Sequence, residues 1–459
     1  MKVNIRAFFA DRAFLKKMFA IATPIIIQKL LISTLNMTDV LMVGRLGDTA
    51  VAAVGVSNQL FFIFMLFMEG VAASCSIFAA QYWGAKDRKG ILNMIGMGLV
   101  AALLIGAVFS LVALCCPGGF MALYSNDPAV HALSRQYLSI VGWCYTMAGV
   151  TLVLAGTLRA TGNTRIPMLI SIITVLIHTT LNLVLIFGLF GFPRMGVAGA
   201  ALGTTISRAV ELLLMTRYVF GRGSVLRGRL RDYLDIDLAQ VRHVVRRSLP
   251  VVLNDMLWGL GYSLYTVAYG RLGTAALAAQ QIVGSVRTLF MVLSFAVADA
   301  ALVMIGNLVG AGEHAHAMET GKRVLVLSVG TGLLAGTLLG LLAPGILTLY
   351  DVSASVRRAA VNLLRISAAA MPLMVLSGAL IVGIFRGGGD SAFAMRAELS
   401  AMWLAGLPLT FALVLFYPGV KIEMLLCGLL VEDLLKAILG LRHFRAMDWI
   451  RPVVQVEAA

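Results

Sequence analysis

Long apolar runs separated by short polar ones set the pattern of this chain. The runs cover 18–43, 51–80, 91–115, 135–157, 166–190 and 197–220 in the first half. In the second half they cover 248–270, 276–308, 322–345, 361–385, 393–417 and 423–441. Each is long enough to cross a hydrocarbon layer of about 30 Å as a helix. Apolar residues do not alternate with polar ones within the runs, so the period of a transmembrane barrel strand is missing. Twelve membrane-spanning helices are the expectation, because in lipid a helix satisfies its own backbone.

Composition agrees. The 459 residues are 60% hydrophobic and 13% charged, with a mean hydropathy of +0.92. Ordinary soluble domains carry about 25% charged residues, and the lipid bilayer is the expected partner of such a chain. The net charge of +15 points to topology, not to nucleic acid, because the basic residues lie mainly in short loops between apolar runs. Cys75, Cys115, Cys116, Cys144 and Cys427 form no CxxC pair, and most lie in or beside apolar runs. They give neither a disulfide framework nor a zinc site. His314 and His316 sit in an ordinary charged loop, and no metal is expected there.

Basic residues also orient the chain. Met1 to Lys17 carry Arg6, Arg12, Lys16 and Lys17, followed by an apolar run with no small-residue cleavage site. A retained first helix with a cytoplasmic start is expected. Loops on that side hold Lys86, Arg88 and Lys89, then Arg159 and Arg165, then the linker with Arg217, Arg222, Arg227, Arg229, Arg231, Arg242, Arg246 and Arg247. Lys322, Arg323, Arg386, Arg396 and the tail arginines Arg442, Arg445 and Arg451 follow. The opposite loops are poorer, which predicts a multi-pass inner-membrane protein with both termini cytoplasmic.

The chain repeats itself. Pro24 and Pro250 each open an apolar run, and Gly44-Arg-Leu-Gly47 recurs as Gly270-Arg-Leu-Gly273. Gly84-Ala85 recurs as Gly310-Ala311, and Leu123-Tyr124 as Leu349-Tyr350, all at an offset of 226 residues. Arg159-Ala-Thr-Gly162 matches Arg386-Gly-Gly-Gly389 with a one-residue slip. An even number of spans per repeat predicts an all-α fold of two parallel six-helix repeats around a central cavity. The expected divisions are an N-terminal lobe at 1–220, a cytoplasmic linker at 221–247 and a C-terminal lobe at 248–459.

Ionisable residues inside spans are expensive and mark pathways. Asp39, Glu69, Glu211, Asp255 and Asp299 qualify, and the repeat sets most of them opposite uncharged positions: Asp39 opposite Tyr265, Glu69 opposite Phe295, Asp299 opposite Ala73. Asp255 falls opposite Lys29, a possible partner. Asp39 shares a helical face with Gln28 and Asn36, and a carboxylate removed from water is driven towards its neutral, protonated form. It suits a proton or, through its oxygens, sodium. Asp255, Trp258, Tyr262, Tyr265 and Tyr269 follow helical spacing, giving an acid beside an aromatic wall that fits an organic cation. His178 and Asn182 share a face of the fifth span, and Thr204 and Thr205 lie in the sixth. Glu211 has Arg208 three residues earlier, a local pair.

At this point the chain resembles the multidrug and toxic compound extrusion (MATE) family. The match lies in the span-1 Asp39 ahead of Gly44-Arg-Leu-Gly47, in Gln81-Tyr-Trp-Gly84-Ala85, in Leu158-Arg-Ala-Thr-Gly-Asn163-Thr and in Gly196-Val-Ala-Gly-Ala-Ala201. The resemblance implies a non-enzymatic antiporter for multidrug efflux, exporting small organic cations in exchange for protons or sodium by alternating access. It implies a coupling set at Asp39, His178, Asn182 and Thr204, where His178 replaces the family's usual Asn and Asn182 stands where the family has an Asp or Asn, so that a second carboxylate is absent. That replacement leans towards protons. The substrate cavity is expected to use Gln28, Asn36, Asp255, Trp258, Tyr262 and Tyr265. No cofactor beyond the transported H+ or Na+ is implied, and a monomer is expected. The alternative is a flippase or exporter of lipid-linked or amphipathic substrates. An enzyme would need a catalytic motif, which the sequence does not offer.

Overall fold

A computed structural model of the protein describes residues 12–122, 124, 127–221, 224–348, 350, 352–417 and 419–454. Met1, Arg6, Leu123, Arg222 and Leu349, used above, lie outside them. The described residues fold almost entirely as helix. The first half comprises α1 (Arg12–Gly44), α2 (Asp48–Gly84), α3 (Arg88–Cys115), α4 (Pro128–Val141 and Cys144–Ala160), α5 (Arg165–Phe187) and α6 (Val197–Val219). The second comprises α7 (Leu238–Gly270), α8 (Thr274–Gly310), α9 (His314–Leu347), α10 (Ala354–Gly388), α11 (Ser391–Phe416) and α12 (Leu426–Ala446).

Each expected span thus has its helix. Among the described residues, nine helices are long and apolar enough to cross a membrane, and ten when the two pieces of α4, bent by 49°, are joined. The two that fall short, α7 and α12, crowd several charged residues into one stretch. α7 opens with Arg242, Arg246 and Arg247, and α12 holds Glu432, Asp433, Lys436 and Arg442. The bend in α4 falls at Gly142, where packing on Leu114 leaves no room for a β-carbon.

The repeat is written into the backbone. α1 and α7 end 226 residues apart, and α2 and α8, α3 and α9, α4 and α10, and α5 and α11 start 226 residues apart. Gly47 and Gly273, in the repeated Gly-Arg-Leu-Gly, turn at φ values of +102° and +106°, a region that suits glycine. The C-terminal ends of α2 and α8 cross through repeat-related glycines. A β-carbon on Gly84 would stand 1.9 Å from the Asn307 carbonyl oxygen, and one on Gly310 would stand 1.8 Å from that of Gln81. Each glycine therefore admits the other helix's backbone, as a pseudo-two-fold crossing requires. The one-residue slip at Arg386 also has a physical form: α10 widens into a π-turn at Ala379–Phe385, which absorbs an extra residue without breaking the helix.

Two compact units emerge. One gathers 27–79 and 87–245; the other gathers 12–26, 80–86 and 246–454. In the first, Val43, Tyr137, Cys144 and Ile186 anchor an apolar core. In the second, α8, α9 and α10 pack around Val283, Leu339, Leu363 and Met371. Leucines such as Leu104, Leu341 and Leu404 point outward and exposed, as lipid-facing positions do.

Candidate functional site

The unit of 27–79 and 87–245 gathers four polar side chains from α1, α5 and α6. Asp39 Oδ1 accepts a hydrogen bond from Asn182 Nδ2 at 3.0 Å. His178 Nδ1 stands 3.5 Å from the same oxygen, and His178 Nε2 lies 3.1 Å from Thr204 Oγ1. His178 and Asn182 are buried, one turn apart on α5. Asp39 is partly open, with a third of its side chain accessible. The polar group thus lies at an accessible edge and is backed by apolar packing.

The hydrogens can be followed. Thr204 Oγ1 donates to the Ala200 carbonyl at 2.9 Å, which can only accept. Its lone pairs are then free to accept from His178 Nε2. Nδ1 thus faces the carboxylate, while Nε2 faces the Thr204 hydroxyl and, at 3.5 Å, the donating Asn182 amide nitrogen. A proton held at Nδ1 would lie between the ring and Asp39. Close packing holds the set. A β-carbon on Gly203 would stand 2.2 Å from Asn182 Oδ1, so only glycine leaves the amide its place. One turn beyond Thr204, Arg208 Nη1 donates to Glu211 Oε2 at 2.7 Å, the local pair expected from their spacing. Sequence spacing did not bring Arg208 into this site, although it stands one turn beyond Thr204 on α6.

The remaining sequence candidates lie elsewhere. Gln28 donates to Ser171 Oγ at 2.8 Å and accepts from Arg159 Nη1 at 3.4 Å. Asn36 is exposed on α1. Asp255 pairs with Arg386 at 2.6 Å. Arg386, placed in a loop by the sequence reading, is buried at the end of α10, just after the π-turn. The aromatic stripe on α7 divides. Trp258 stacks on Tyr262, which accepts from Arg287 Nη2 at 3.1 Å. Tyr265 is buried and donates to Glu432 Oε2 at 2.7 Å.

That last contact opens a second polar cluster. Lys436 Nζ lies 3.0 Å from Glu432 Oε1 and 2.9 Å from Asp433 Oδ1. Ser377 donates to Asp433 at 2.9 Å. Nearby, Asn254 donates to Glu398 at 2.7 Å. Sequence reasoning passed over Glu398, Glu432, Asp433 and Lys436, although all lie within expected spans. Acids adjacent to a lysine on one helix read as a solvated turn until burial shows otherwise. Among the described residues, no three His, Cys, Asp or Glu side chains are arranged to hold a metal ion.

Comparison with known proteins now decides the family. The MatE family model matches residues 24–184 and again 250–412, one match in each repeat. The chain belongs to the MatE family. This MatE protein is 23% identical to the uncharacterized transporter YisQ of Bacillus subtilis, over 96% of both chains. It is 28% identical to the probable multidrug resistance protein NorM of Rhizobium meliloti, over 88% of this chain and 87% of that one. Its fold matches a solved mutant of the Vibrio cholerae MATE transporter VcmN with a TM-score of 0.85 at 19% identity. That match covers 95% of this chain and 98% of the other. The MatE protein is thus a multi-span membrane protein of a transporter family, all-helical, with multidrug-resistance proteins among its relatives.

Proposed function

We propose that this protein exports small organic cations in exchange for protons across the bacterial inner membrane, with both termini cytoplasmic. One observation carries the reading: a single carboxylate, Asp39, faces a histidine nitrogen at 3.5 Å and an amide N–H at 3.0 Å. Unprotonated, Asp39 offers a negative charge at an accessible position, which attracts a cation. A proton shared between Asp39 Oδ1 and His178 Nδ1 removes that attraction, and the cation leaves. Pro24 lacks the N–H that would bond the Ala20 carbonyl, so α1 has a place to bend when its charge changes. Exchange requires cation and proton to favour different conformations, since equal binding shifts nothing.

Sodium fits the site less well. Asn182 turns its nitrogen, not its oxygen, to Asp39, and His178 occupies a position where a hard cation needs an oxygen ligand. The reading needs no cofactor and no second copy of the chain.

The test is ethidium efflux from proteoliposomes under an imposed pH gradient and, separately, a sodium gradient. Efflux on the pH gradient alone is expected. Asp39→Asn should lower the initial rate at least about tenfold, since contacts to a charged group are worth about 1.5–3 kcal/mol. Efflux driven by sodium alone, or full exchange by the Asp39→Asn protein, would overturn the assignment.

A further inference from the structure

Residues 224–245, ahead of and into the first turns of α7, are folded, not slack. Tyr233 is buried and donates to the Leu226 carbonyl at 2.6 Å, while its hydroxyl accepts from Gly228 N at 2.9 Å. Its backbone lies directly on α3, where a β-carbon on Gly96 would stand 1.7 Å from the Tyr233 carbonyl oxygen. Asn93 of α3 donates to the Asp235 carbonyl at 3.0 Å. Arg229 N donates to Asp232 Oδ2 at 2.7 Å, and Gln240 N to Asp237 Oδ1 at 2.6 Å. These contacts fix which side chains face away from the protein.

The outward side chains are of two kinds. Leu230 and Leu234, one turn apart on the short helix Leu230–Leu234, are 77% and 55% exposed, and Leu238 is 83% exposed. On α7, Leu238, Arg242 and Val245 follow i, i+4, i+7 spacing and are all exposed, so they share a face. Arg227, Arg229 and Arg231 are exposed among the leucines. The three acids of this stretch each have a partner of their own. Asp232 and Asp237 accept the backbone bonds just described, and Asp235 is taken by Lys89 Nζ at 2.7 Å, which holds its carboxyl below the usual range. Among the described residues, only Arg231 of the four arginines has a carboxylate within 4 Å, Asp232 at 3.9 Å.

We propose that residues 225–245 form a docking surface for anionic phospholipid, the leucines entering the acyl boundary and Arg227, Arg229, Arg231 and Arg242 holding headgroup phosphates. Leucines so exposed between arginines match an interfacial segment, which buries an apolar face while its cations meet the surface charge. A nucleic acid or an acidic protein tail would engage the arginines and leave the leucines in water. The proposal is independent of what the protein transports.

Hydrogen exchange of peptides within 224–245 tests it, on the full-length protein in nanodiscs. Discs of phosphatidylcholine alone are compared with discs containing phosphatidylglycerol. Exchange should slow by at least about tenfold with phosphatidylglycerol, and high salt should reverse the effect, since the attraction is screened. The quadruple variant Arg227→Gln/Arg229→Gln/Arg231→Gln/Arg242→Gln should lose the difference between lipids. Leu230→Ser/Leu234→Ser should exchange faster in both discs. Peptides of α8, remote in sequence, report whether each variant keeps its fold. Equal exchange of the wild-type segment in both lipids overturns the proposal. So does protection given by inorganic phosphate in phosphatidylcholine discs, which would mark a free-anion site.

Discussion

At the scale of single residues, the coupling candidate depends on where one amide points. Gly203 borders Asn182 Oδ1 so closely that a β-carbon would stand 2.2 Å away. Gly203→Ala should push the Asn182 amide off Asp39 while leaving α6 intact, since alanine favours helix. The expected result is normal expression and melting temperature with proton-driven efflux lowered about tenfold, the worth of a bond to a charged acceptor. Unchanged efflux would mean that Asn182 does not tune Asp39. The sequence named Asp39, His178, Asn182 and Thr204 because helical spacing and an acid inside an apolar run are visible in one dimension. It did not bring in Arg208, whose i, i+3 carboxylate explained it too easily. It also left Arg386 in a loop, since nothing in the local pattern foretells a wide helical turn. Asp255 is held in the membrane by that arginine, a pairing across 131 residues that no spacing rule reaches.

At the scale of elements, the repeat was the most readable feature, and the departures from it were the least. Four pairs of helix starts, and the ends of α1 and α7, keep the offset of 226, because turns and crossings demand particular residues, glycine above all, at fixed positions. The tail after α12 has no counterpart that spacing could reveal. Trp449 is fully buried, stacked on Phe444 with ring centroids 5.5 Å apart and packed on Gly388. Beyond it, Arg451 N donates to the Gly388 carbonyl at 2.8 Å and Val453 N to Gln81 Oε1 at 2.7 Å. The tail therefore closes the ends of α2 and α10. Trp449→Ala should destabilise by about 3–5 kcal/mol through the cavity it leaves, read as a lowered melting temperature in detergent. A melting curve identical to wild type would show that the tail only rests on the surface.

At the scale of the whole molecule, the two halves share a scaffold and divide their charges. Asp39 and Tyr265 occupy matching positions on α1 and α7, and each reaches polar groups on later helices of its own half. Asp39 meets His178 and Asn182, whereas Tyr265 meets Glu432. The first cluster leaves its acid partly open and without a fixed cation bonded to it among the described residues. The second closes Glu432 and Asp433 around Lys436, with all three side chains at least 90% buried. Carboxylates closed around a tethered ammonium and shut away from water leave little room for a passing cation, so the second cluster should stabilise while the first couples. Removing one partner of such a buried set costs about 3–5 kcal/mol, because the remaining charges lose their compensation. Lys436→Met should therefore lower the melting temperature sharply, and adding Glu432→Gln should recover part of the loss by removing one stranded acid. Protein that survives reconstitution should still respond to the pH gradient with the wild-type midpoint. Asp39→Asn is expected to do the reverse, keeping the melting temperature and losing the response. If Lys436→Met instead melts normally and no longer responds to pH, the division of labour between the halves is wrong, and the C-terminal cluster takes part in the exchange.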